Sequence, residues 1–334
     1  MTGTAVSTQT AATQQVLQNA LQPEGPQAQA IFGLWNFTLA LCTVVFAVIV
    51  LAFLYALWRA PRGHAGTAPD LGSLARPERR VHGIVLWGTV ISAVGLVMLL
   101  VADVWTARAL ARLPLKEAVN IELVGHMWWW EARYLSDDPT QRFTTANELR
   151  LPVGRPVLVS LKSRDVIHTL WVPNLAGKRD MIPGRSTTIA LQADRPGVYR
   201  AQCAEFCGLE HALMALPVTA QAPADYEQWA AAQRKPSVEP DTDRRRRGRD
   251  VFLGTTCVMC HTVAGTTARG TLGPDLTHFA SRPTLAAGAL KNDRANLQAW
   301  IVDPQRFKPG ANMPAHPFPA DDMTALLDYL ESLK

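Results

Sequence analysis

Two long uncharged runs constrain the architecture of this chain more than any other feature of its sequence. Residues 31–58 and 83–102 contain no Asp, Glu, Lys or Arg. At about 1.5 Å per helical residue, each run is long enough to cross a hydrocarbon core of roughly 30 Å. The chain is 48% hydrophobic and only 18% charged, which favours a membrane protein. The sequence therefore predicts two transmembrane helices, at about 31–58 and 83–105.

The charges that flank these runs predict the orientation of the helices. The connecting loop, residues 59–80, carries five arginines, whereas residues 1–30 contain no Lys or Arg. Because cytoplasmic loops are enriched in Lys and Arg, the loop is predicted to be cytoplasmic and segment 1–30 external. Everything after the second helix is then external as well. For a bacterial inner membrane, this is the periplasmic face.

The net charge of +5 does not indicate a nucleic-acid-binding protein. Much of the positive excess lies in loop 59–80 and in the arginine run 244–247. A short run of this kind is typical of a solvated helix start. We therefore expect no nucleic-acid partner.

The segment from 203 to 214, called the copper loop below, concentrates soft metal ligands. It contains two thiols, an imidazole and a thioether, supplied by Cys203, Cys207, His211 and Met214. Thiolate and thioether favour copper, and a weak Met beside Cys and His is typical of electron-transfer copper. A zinc ribbon would need a second Cys or His pair at short spacing, and none follows. Two cysteines four residues apart leave room for each sulfur to bridge two ions. This predicts a further histidine upstream, and His168 is the candidate.

The pattern Cys-x-Glu-x-Cys-x-x-x-His-x-x-Met with an upstream Asp-x-x-His resembles the dinuclear CuA site of cytochrome c oxidase subunit II. Residues 125–130 (GHMWWW), 171–173 (WVP) and 182–185 (IPGR) are similar to segments of that family as well.

The resemblance implies a role for each ligand. Cys203 and Cys207 would bridge the two coppers, His168 and His211 would be terminal ligands, and Met214 would be the weak thioether. Glu205 would bind copper through its backbone carbonyl. Its carboxylate would help to hold a magnesium ion at the contact with subunit I. Trp128 would be the aromatic residue through which electrons enter the copper. Two simpler interpretations are that Cys203 and Cys207 form a disulfide and that Trp128 has only a structural role.

A second redox centre is indicated by Cys-x-x-Cys-His at 257–261. This motif attaches haem c through thioether bonds to Cys257 and Cys260, and His261 is placed to become the proximal iron ligand. Met313 is the best candidate for the sixth ligand, since Met ligation raises the reduction potential of an electron carrier. Met323 instead fits the apolar face of a C-terminal helix, and His278 and His316 are expected at the surface.

Residues 244–334, called the haem domain below, resemble a class I cytochrome c. The resemblance implies that the carbonyl of Pro274 accepts the other N–H of the proximal histidine. Of the five cysteines, two are assigned to copper and two to haem, which leaves Cys42 in the first membrane helix.

Residues 117–219, called the copper domain below, contain short β-rich segments separated by Gly and Pro turns. Such spacing predicts a β-sandwich, and the resemblance makes it a cupredoxin. Residues 220–243 read as a short helix and a linker. The predicted protein is thus a multidomain membrane protein with a transmembrane hairpin, a cupredoxin-like all-β domain and an all-α cytochrome domain.

The resemblance implies the electron-entry subunit of a haem–copper terminal oxidase with its cytochrome fused on. Its partners would be subunit I, subunit III and an electron-donor cytochrome. The chain would not bind oxygen itself, and Glu78 is a doubtful match for the proton path of the family.

Three other interpretations remain open. The chain would serve a nitric oxide reductase if that were its partner. It would be a membrane-tethered electron carrier, or a copper-handling protein, if no oxidase partner existed.

Overall fold

The computed structural model describes residues 16–60 and 79–334, with positions 63, 66, 68, 71 and 72 between them. Residues 1–15 lie outside the described residues, as do Arg62, Arg76 and Glu78 of the predicted cytoplasmic loop. The chain divides into two units. One comprises residues 30–112, and the other comprises residues 113–334 together with the segment that ends at Gln29.

The first described elements are strand β1 Val16–Leu17, helix α1 Pro26–Arg59 and helix α2 Arg79–Leu110. Both helices are long and apolar enough to cross a membrane, as predicted from the uncharged runs. With 34 and 32 residues, they exceed those runs and extend to about 50 Å at 1.5 Å per residue. The connecting loop begins and ends at basic residues, Arg59 at the end of the first helix and Arg79 at the start of the second.

Two packed sheets form the copper domain. In the described part of the chain, one sheet has the strand order β5-β11-β10-β7-β8, with β1 added beside β10, and the other has the order β4-β3-β2-β6-β9. The strands are β2 Val119–His126, β3 Trp129–Leu135, β4 Phe143–Ala146, β5 Leu149–Pro152, β6 Val157–Ser163, β7 His168–Trp171, β8 Lys178–Met181, β9 Thr187–Leu191, β10 Gly197–Cys203 and β11 Ala215–Gln221.

The core of this domain follows from the two-residue period of its strands. In β6, Val157, Val159 and Leu161 are fully buried, whereas Leu158 and Ser160 between them are partly exposed. Alternate side chains of a strand point to opposite faces, so each sheet presents one apolar face to the other. The packing confirms the predicted β-sandwich.

The segment before α1 is fastened to the copper domain. β1 lies parallel to β10, and the amide of Ala28 donates to the carbonyl of Leu175 at 3.2 Å. Gly25 is required here, because a Cβ at this position would lie 2.1 Å from the carbonyl oxygen of Gln192. Helix α1 begins at Pro26, five residues before the uncharged run, and proline is well suited to the first position of a helix.

Helix α3 Pro223–Gln233 closes the sandwich at one end. Trp229 packs edge-on against Tyr134 and Phe143, with ring centroids 5.3 and 5.4 Å away. This helix lies where the sequence predicts a short one, and the polar segment after it leads to the haem domain.

The haem domain consists of short helices around its own core. Its elements are α4 Asp243–Leu253, α5 Cys257–Cys260, β12 Thr284–Leu285, β13 Leu290–Lys291, α6 Arg294–Val302 and α7 Ala320–Leu330. Thr242 begins α4 as an N-cap, since its side chain accepts a hydrogen bond from the amide of Arg245. The helical architecture agrees with the prediction, but the small hairpin β12–β13 is an element that the sequence did not indicate.

The arginine run at the start of α4 is paired with acidic side chains. Each pair joins one arginine to a carboxylate of the same domain or of the adjoining segment: Arg244–Asp328, Arg245–Asp241, Arg246–Asp243, Arg247–Asp322 and Arg249–Glu239. The run thus interacts with neighbouring acids on a solvated helix face, as the sequence predicts.

Helices α4 and α7 touch at Gly248, which suggests a stability test. A Cβ at this position would lie 1.9 Å from the carbonyl oxygen of Ala325 and 2.8 Å from Tyr329 Cβ. We expect Gly248→Ala to destabilise the haem domain by about 1–3 kcal/mol or more, because the helices must separate. Denaturant unfolding measures the change. Gly254→Ala, at the exposed end of α4 where φ is −85°, is the control and should have a smaller effect. Equal stability of both variants would contradict the close packing.

Candidate metal centre and haem pocket

Three adjacent strands of one sheet position the predicted copper ligands. Cys203 is the last residue of β10, His168 is the first of β7, and Met214 directly precedes β11. β10 pairs with both neighbours, and the amide of Cys203 donates to the carbonyl of Met214 at 3.0 Å. Because paired strands are about 4.8 Å apart, side chains at their ends come within reach of one another.

The ligand side chains meet in one cluster. The sulfurs of Cys203 and Cys207 are 3.7 Å apart. His168 Nδ1 lies 3.8 Å from the first sulfur, and His211 Nδ1 lies 3.6 Å from the second. The sulfur of Met214 is 3.9 Å from that of Cys207. Each thiol therefore has one imidazole beside it, which is the arrangement that the two-metal interpretation requires.

This donor set fits copper. Two sulfurs 3.7 Å apart can bind the same ion, because the distance is less than twice a metal–sulfur bond of about 2.3 Å. Thiolate, imidazole and thioether together are ligands that copper prefers. All five cysteines lie within the described residues and are free thiols, so the disulfide alternative has no support in the structure.

Asp165 orients the imidazole of His168. Its Oδ1 lies 2.8 Å from His168 Nε2, and its Oδ2 accepts a hydrogen bond from the amide of Met127 at 2.7 Å. With its proton on Nε2, the ring presents the lone pair of Nδ1 to the thiols. Burial lowers the pKa of His168, but the hydrogen bonds with Asp165 and Cys203 outweigh it and raise this pKa above its ordinary value. Gly125 leaves room for the ring, since a Cβ there would lie 2.8 Å from it.

Of the two thiols, one loses its proton readily and the other keeps it. The hydrogen bond with Cys207 is the main cause that lowers the pKa of Cys203. The same contact raises the pKa of Cys207. One thiolate therefore forms easily, whereas the second proton must be displaced by the metal.

The backbone carbonyl of Glu205 faces the ligand cluster, whereas the residue is exposed at the surface. Its carbonyl oxygen lies 3.2 Å from the sulfur of Cys203. Among the described residues, the one cluster of His, Cys, Asp or Glu with metal-binding geometry is His168, Cys203 and Cys207, so Glu205 has no acidic partner of this kind. The magnesium assignment stays a prediction, because it depends on a second subunit.

Trp128 is held against the copper loop. It is only 8% exposed, and its indole N–H donates to the carbonyl of Cys207 at 2.9 Å. A Cβ at Gly208 would lie 3.0 Å from the indole ring, and this glycine has a φ of +110°. The residue after the second thiol must therefore be small and able to adopt a left-handed backbone.

A cavity of about 610 Å³ opens beside the Cys-x-x-Cys-His segment. Cys257, Cys260, His261 and Met313 line it, together with apolar side chains of the haem domain. Its size falls within the range of cofactor pockets, and its lining is mostly apolar, as a haem requires. Met127, Trp128 and Trp129 of the copper domain also line this cavity.

The predicted proximal histidine has a hydrogen bond that fixes its orientation. His261 Nδ1 donates to the carbonyl of Pro274 at 2.7 Å, which leaves the lone pair on Nε2. Burial lowers the pKa of His261 and so favours the neutral, ligating form. A Cβ at Gly273 would lie 2.8 Å from the ring, so only glycine fits there.

The structure separates the candidates for the sixth ligand. Met313 lines the cavity, whereas Met323 is buried in the helical core on α7. His316 also lines the cavity, but its Nε2 accepts from the Thr256 hydroxyl at 2.8 Å and its Nδ1 donates to the Pro314 carbonyl at 2.8 Å. The expectation that His278 is a surface residue is wrong, because its side chain is only 3% exposed. Its Nε2 donates to the carbonyl of Lys235, in the segment that precedes α4, at 3.0 Å.

Two residues of this region were missed by sequence reasoning. Asp165 was visible as the first residue of Asp-x-x-His, but the pattern did not reveal that it binds both His168 and the amide of Met127. Lys308 gave no signal at all, although its ammonium donates to the carbonyl of Trp128 at 2.7 Å. Its acceptor lies 180 residues away in sequence, so the contact exists only in the folded chain.

Comparison with protein families divides the chain in the same way. The model of the cytochrome c oxidase subunit II periplasmic domain matches residues 134–221, and the cytochrome c model matches residues 246–334.

Similar proteins extend the match to almost the whole chain. Cytochrome c oxidase subunit 2 of Alkalihalophilus pseudofirmus is 36% identical over 324 residues, which covers 94% of this chain and 90% of the relative. The protein of the same name from Bacillus subtilis is 27% identical, with 95% and 92% covered. A solved periplasmic domain of subunit II of cytochrome oxidase from Bradyrhizobium japonicum covers 35% of this chain and 94% of its own, at 26% identity and a TM-score of 0.33. Through its similarity to full-length relatives, this chain belongs to the cytochrome c oxidase subunit 2 family.

Proposed function

We propose that this chain is the electron-entry subunit of a haem–copper terminal oxidase. Electrons from an external donor cytochrome would reach haem c at Cys257 and Cys260, pass to dinuclear CuA and continue to the oxygen-reducing subunit I. Family membership and the cytochrome c domain support this path. The bound cofactors supply the redox chemistry, while the chain determines their separation and excludes water.

One contact carries the proposal. Trp128 lines the haem cavity, and its indole N–H donates to the carbonyl of Cys207 in the copper loop. A single aromatic side chain therefore borders both cofactor sites. This supports Trp128 as part of the route between them.

The ligand sets are part of the same proposal. His168, Cys203, Cys207, His211 and Met214 would hold the two coppers, with the carbonyl of Glu205. For the haem iron, His261 and Met313 would be the axial ligands, and Pro274 would orient the former. The exposed carboxylate of Glu205 is free to meet a magnesium ion at subunit I, which the isolated chain does not include.

The two apolar helices and the family membership support a location and a set of partners. We place the chain in a bacterial inner membrane, with the copper and haem domains on the periplasmic face and with subunits I and III as neighbours. Helices α1 and α2 contain one histidine, His82. Oxygen reduction at a haem–copper pair needs several histidines within the membrane, so it would take place in the partner subunit.

Selective reduction of the haem tests the electron path. In the purified oxidase complex, a light pulse reduces haem c, and the CuA absorbance is followed in time. We expect the haem to be reoxidised as CuA becomes reduced. Reoxidation of the haem without any transient reduction of copper would overturn the path.

Replacement of Trp128 refines this test. We expect Trp128→Leu to slow haem-to-copper transfer by about tenfold or more, because an apolar aliphatic chain replaces the indole between the sites. Trp128→Phe keeps an aromatic ring but loses the hydrogen bond to Cys207. It therefore separates the contribution of the ring to the transfer rate from that of the hydrogen bond. Trp129→Leu is the matched control, since Trp129 lines the cavity but stacks on His126 instead of contacting the copper loop. An unchanged rate in Trp128→Leu would exclude this residue from the route.

Asp165→Asn tests the assignment of the copper ligands. The carboxylate of Asp165 accepts three hydrogen bonds, from His168 and the amide of Val166 on Oδ1 and from the amide of Met127 on Oδ2. Asn has a single acceptor oxygen, so at least one of these bonds must be lost and the support of the His168 ring is weakened. We expect copper affinity to fall by about 10–100-fold, measured by competition with a chelator. Asp137→Asn, at an exposed position of the same domain, should retain copper like the unsubstituted protein. Equal retention by both variants would argue against His168 as a ligand that Asp165 orients.

Met313→Ala tests the sixth iron ligand. We expect this variant to lose the methionine-to-iron absorption band and to have a lower reduction potential, because the thioether favours reduced iron. Met323→Leu, in the core of the haem domain, should keep the band. If the band survives in Met313→Ala, another residue is the ligand, and His316 is then the next to test.

A further inference from the structure

Lys308 is a buried cation whose role the ligand assignments do not explain. It is 3% exposed and follows α6 in the haem domain. Its ammonium donates to the carbonyls of Trp128 at 2.7 Å, Leu213 at 3.0 Å and Ala286 at 3.3 Å. The first two belong to the copper domain and the third to the haem domain. All three N–H groups of the ammonium are thus used, and they join the two domains.

The acceptors lie close to the redox sites. Trp128 contacts the copper loop through its indole N–H, and Leu213 directly precedes the ligand Met214. Burial lowers the pKa of Lys308 to about 8, while Glu210 and Cys207 act in the opposite direction. At neutral pH the amine therefore remains mostly protonated and keeps all of its donors.

A turn of the haem domain inserts beside the same loop. The β12–β13 hairpin turns through Ala286, Ala287 and Gly288, all with left-handed φ values of 54°, 58° and 78°. This backbone is unfavourable for alanine, so the surroundings must hold it. The amide of Ala215 donates to the carbonyl of Ala287 at 3.0 Å, and Ala287 is fully buried in the core of the copper domain.

A second buried cation crosses the same boundary. Arg282 of the haem domain is 5% exposed, and its Nε lies 3.7 Å from Oε1 of Glu148, a buried acid of the copper domain. Its Nη2 also donates to the carbonyl of Asp275 at 2.6 Å. Glu148 also pairs with Arg150 of its own domain at 3.1 Å, so Arg282 adds a buried cation to a carboxylate that is already partnered. The ion pair with Arg282 is therefore a further buried polar contact between the two domains.

We infer that Lys308 is a positioning residue that locks the haem domain onto the copper domain and holds Trp128 and the copper loop in place. This inference rests on the proposed function, because it concerns the path between the two cofactor sites. The haem domain is then a docked neighbour at a fixed distance and not a module that searches for the copper site on its linker. Lysine suits the site, since its compact ammonium binds three convergent carbonyls, whereas the planar guanidinium of arginine has a different donor geometry.

Lys308→Met in the full chain tests the inference. We expect the amide of Ala215, which donates to Ala287, to exchange with solvent about tenfold faster or more, while other β11 amides keep their protection. This readout does not depend on electron transfer. Lys291→Met, at an exposed position of β13, is the control and should leave the exchange unchanged. Unchanged exchange at Ala215 in a folded Lys308→Met protein would overturn the role of Lys308.

Electron transfer provides a second readout. In the unsubstituted complex, haem-to-copper transfer should be insensitive to solvent viscosity, because no docking step precedes it. In Lys308→Met the rate should fall about tenfold and become dependent on viscosity, because the haem domain must find its position again. If the unsubstituted complex transfers no electrons from haem to copper, the proposed function fails. The hydrogen-exchange experiment then still tests whether Lys308 holds the haem domain against the copper domain.

A cleavage experiment covers the case in which Lys308→Met does not fold. A protease site is introduced after Val238, which is 70% exposed in the linker before α4. After cleavage of the otherwise unsubstituted complex, a locked haem domain stays bound during size-exclusion chromatography. Its immediate release would overturn the inference.

Discussion

The pairing of β10 with β7 and β11 is the interaction on which the copper site depends. It places the last residue of one strand, the first of the second and the residue before the third within a few ångströms of each other. The hydrogen bond between the amide of Cys203 and the carbonyl of Met214 then closes the loop that carries the other ligands. A shift of one residue in either register would turn the predicted ligand side chains to the opposite face of the sheet, so the predicted metal site depends on this strand pairing.

The haem pocket is built by a different principle. Short helices and loops form an apolar cavity, and one wall of that cavity belongs to the copper domain. The predicted proximal ligand His261 is oriented by a backbone carbonyl, whereas the predicted copper ligand His168 is oriented by a carboxylate. In both sites a glycine leaves room for the imidazole, since a Cβ at Gly125 or Gly273 would lie 2.8 Å from the ring. Glycine is therefore required by the approach of a ring in these positions and not by a turn.

Membership of the cytochrome c oxidase subunit 2 family makes the chain a membrane-bound component of an oxidoreductase, with a periplasmic domain. Fusion of a cytochrome to that domain raises the effective concentration of one redox site at the other. The buried contacts of Lys308, Arg282 and the Ala286–Gly288 turn join the two domains directly. Under the proposed function, they would keep the two cofactor sites at a single separation.

The membrane helices, the β-rich and helical domains and the residue types of both predicted cofactor sites can be inferred from the amino-acid sequence. These features depend on local composition, on a period of two along strands and on short motifs such as Cys-x-x-Cys-His. Met313 and Met323 could be distinguished in the same way, since the second fits a helical apolar face.

Three features required the folded chain: the contacts between the copper and haem domains, the burial of His278, and the hydrogen bonds of Asp165 and Lys308 near the predicted sites. The physical reason is sequence distance. A contact such as that between Lys308 and Trp128 spans 180 residues, and backbone carbonyls accept hydrogen bonds whatever their side chain. No local pattern can therefore indicate it.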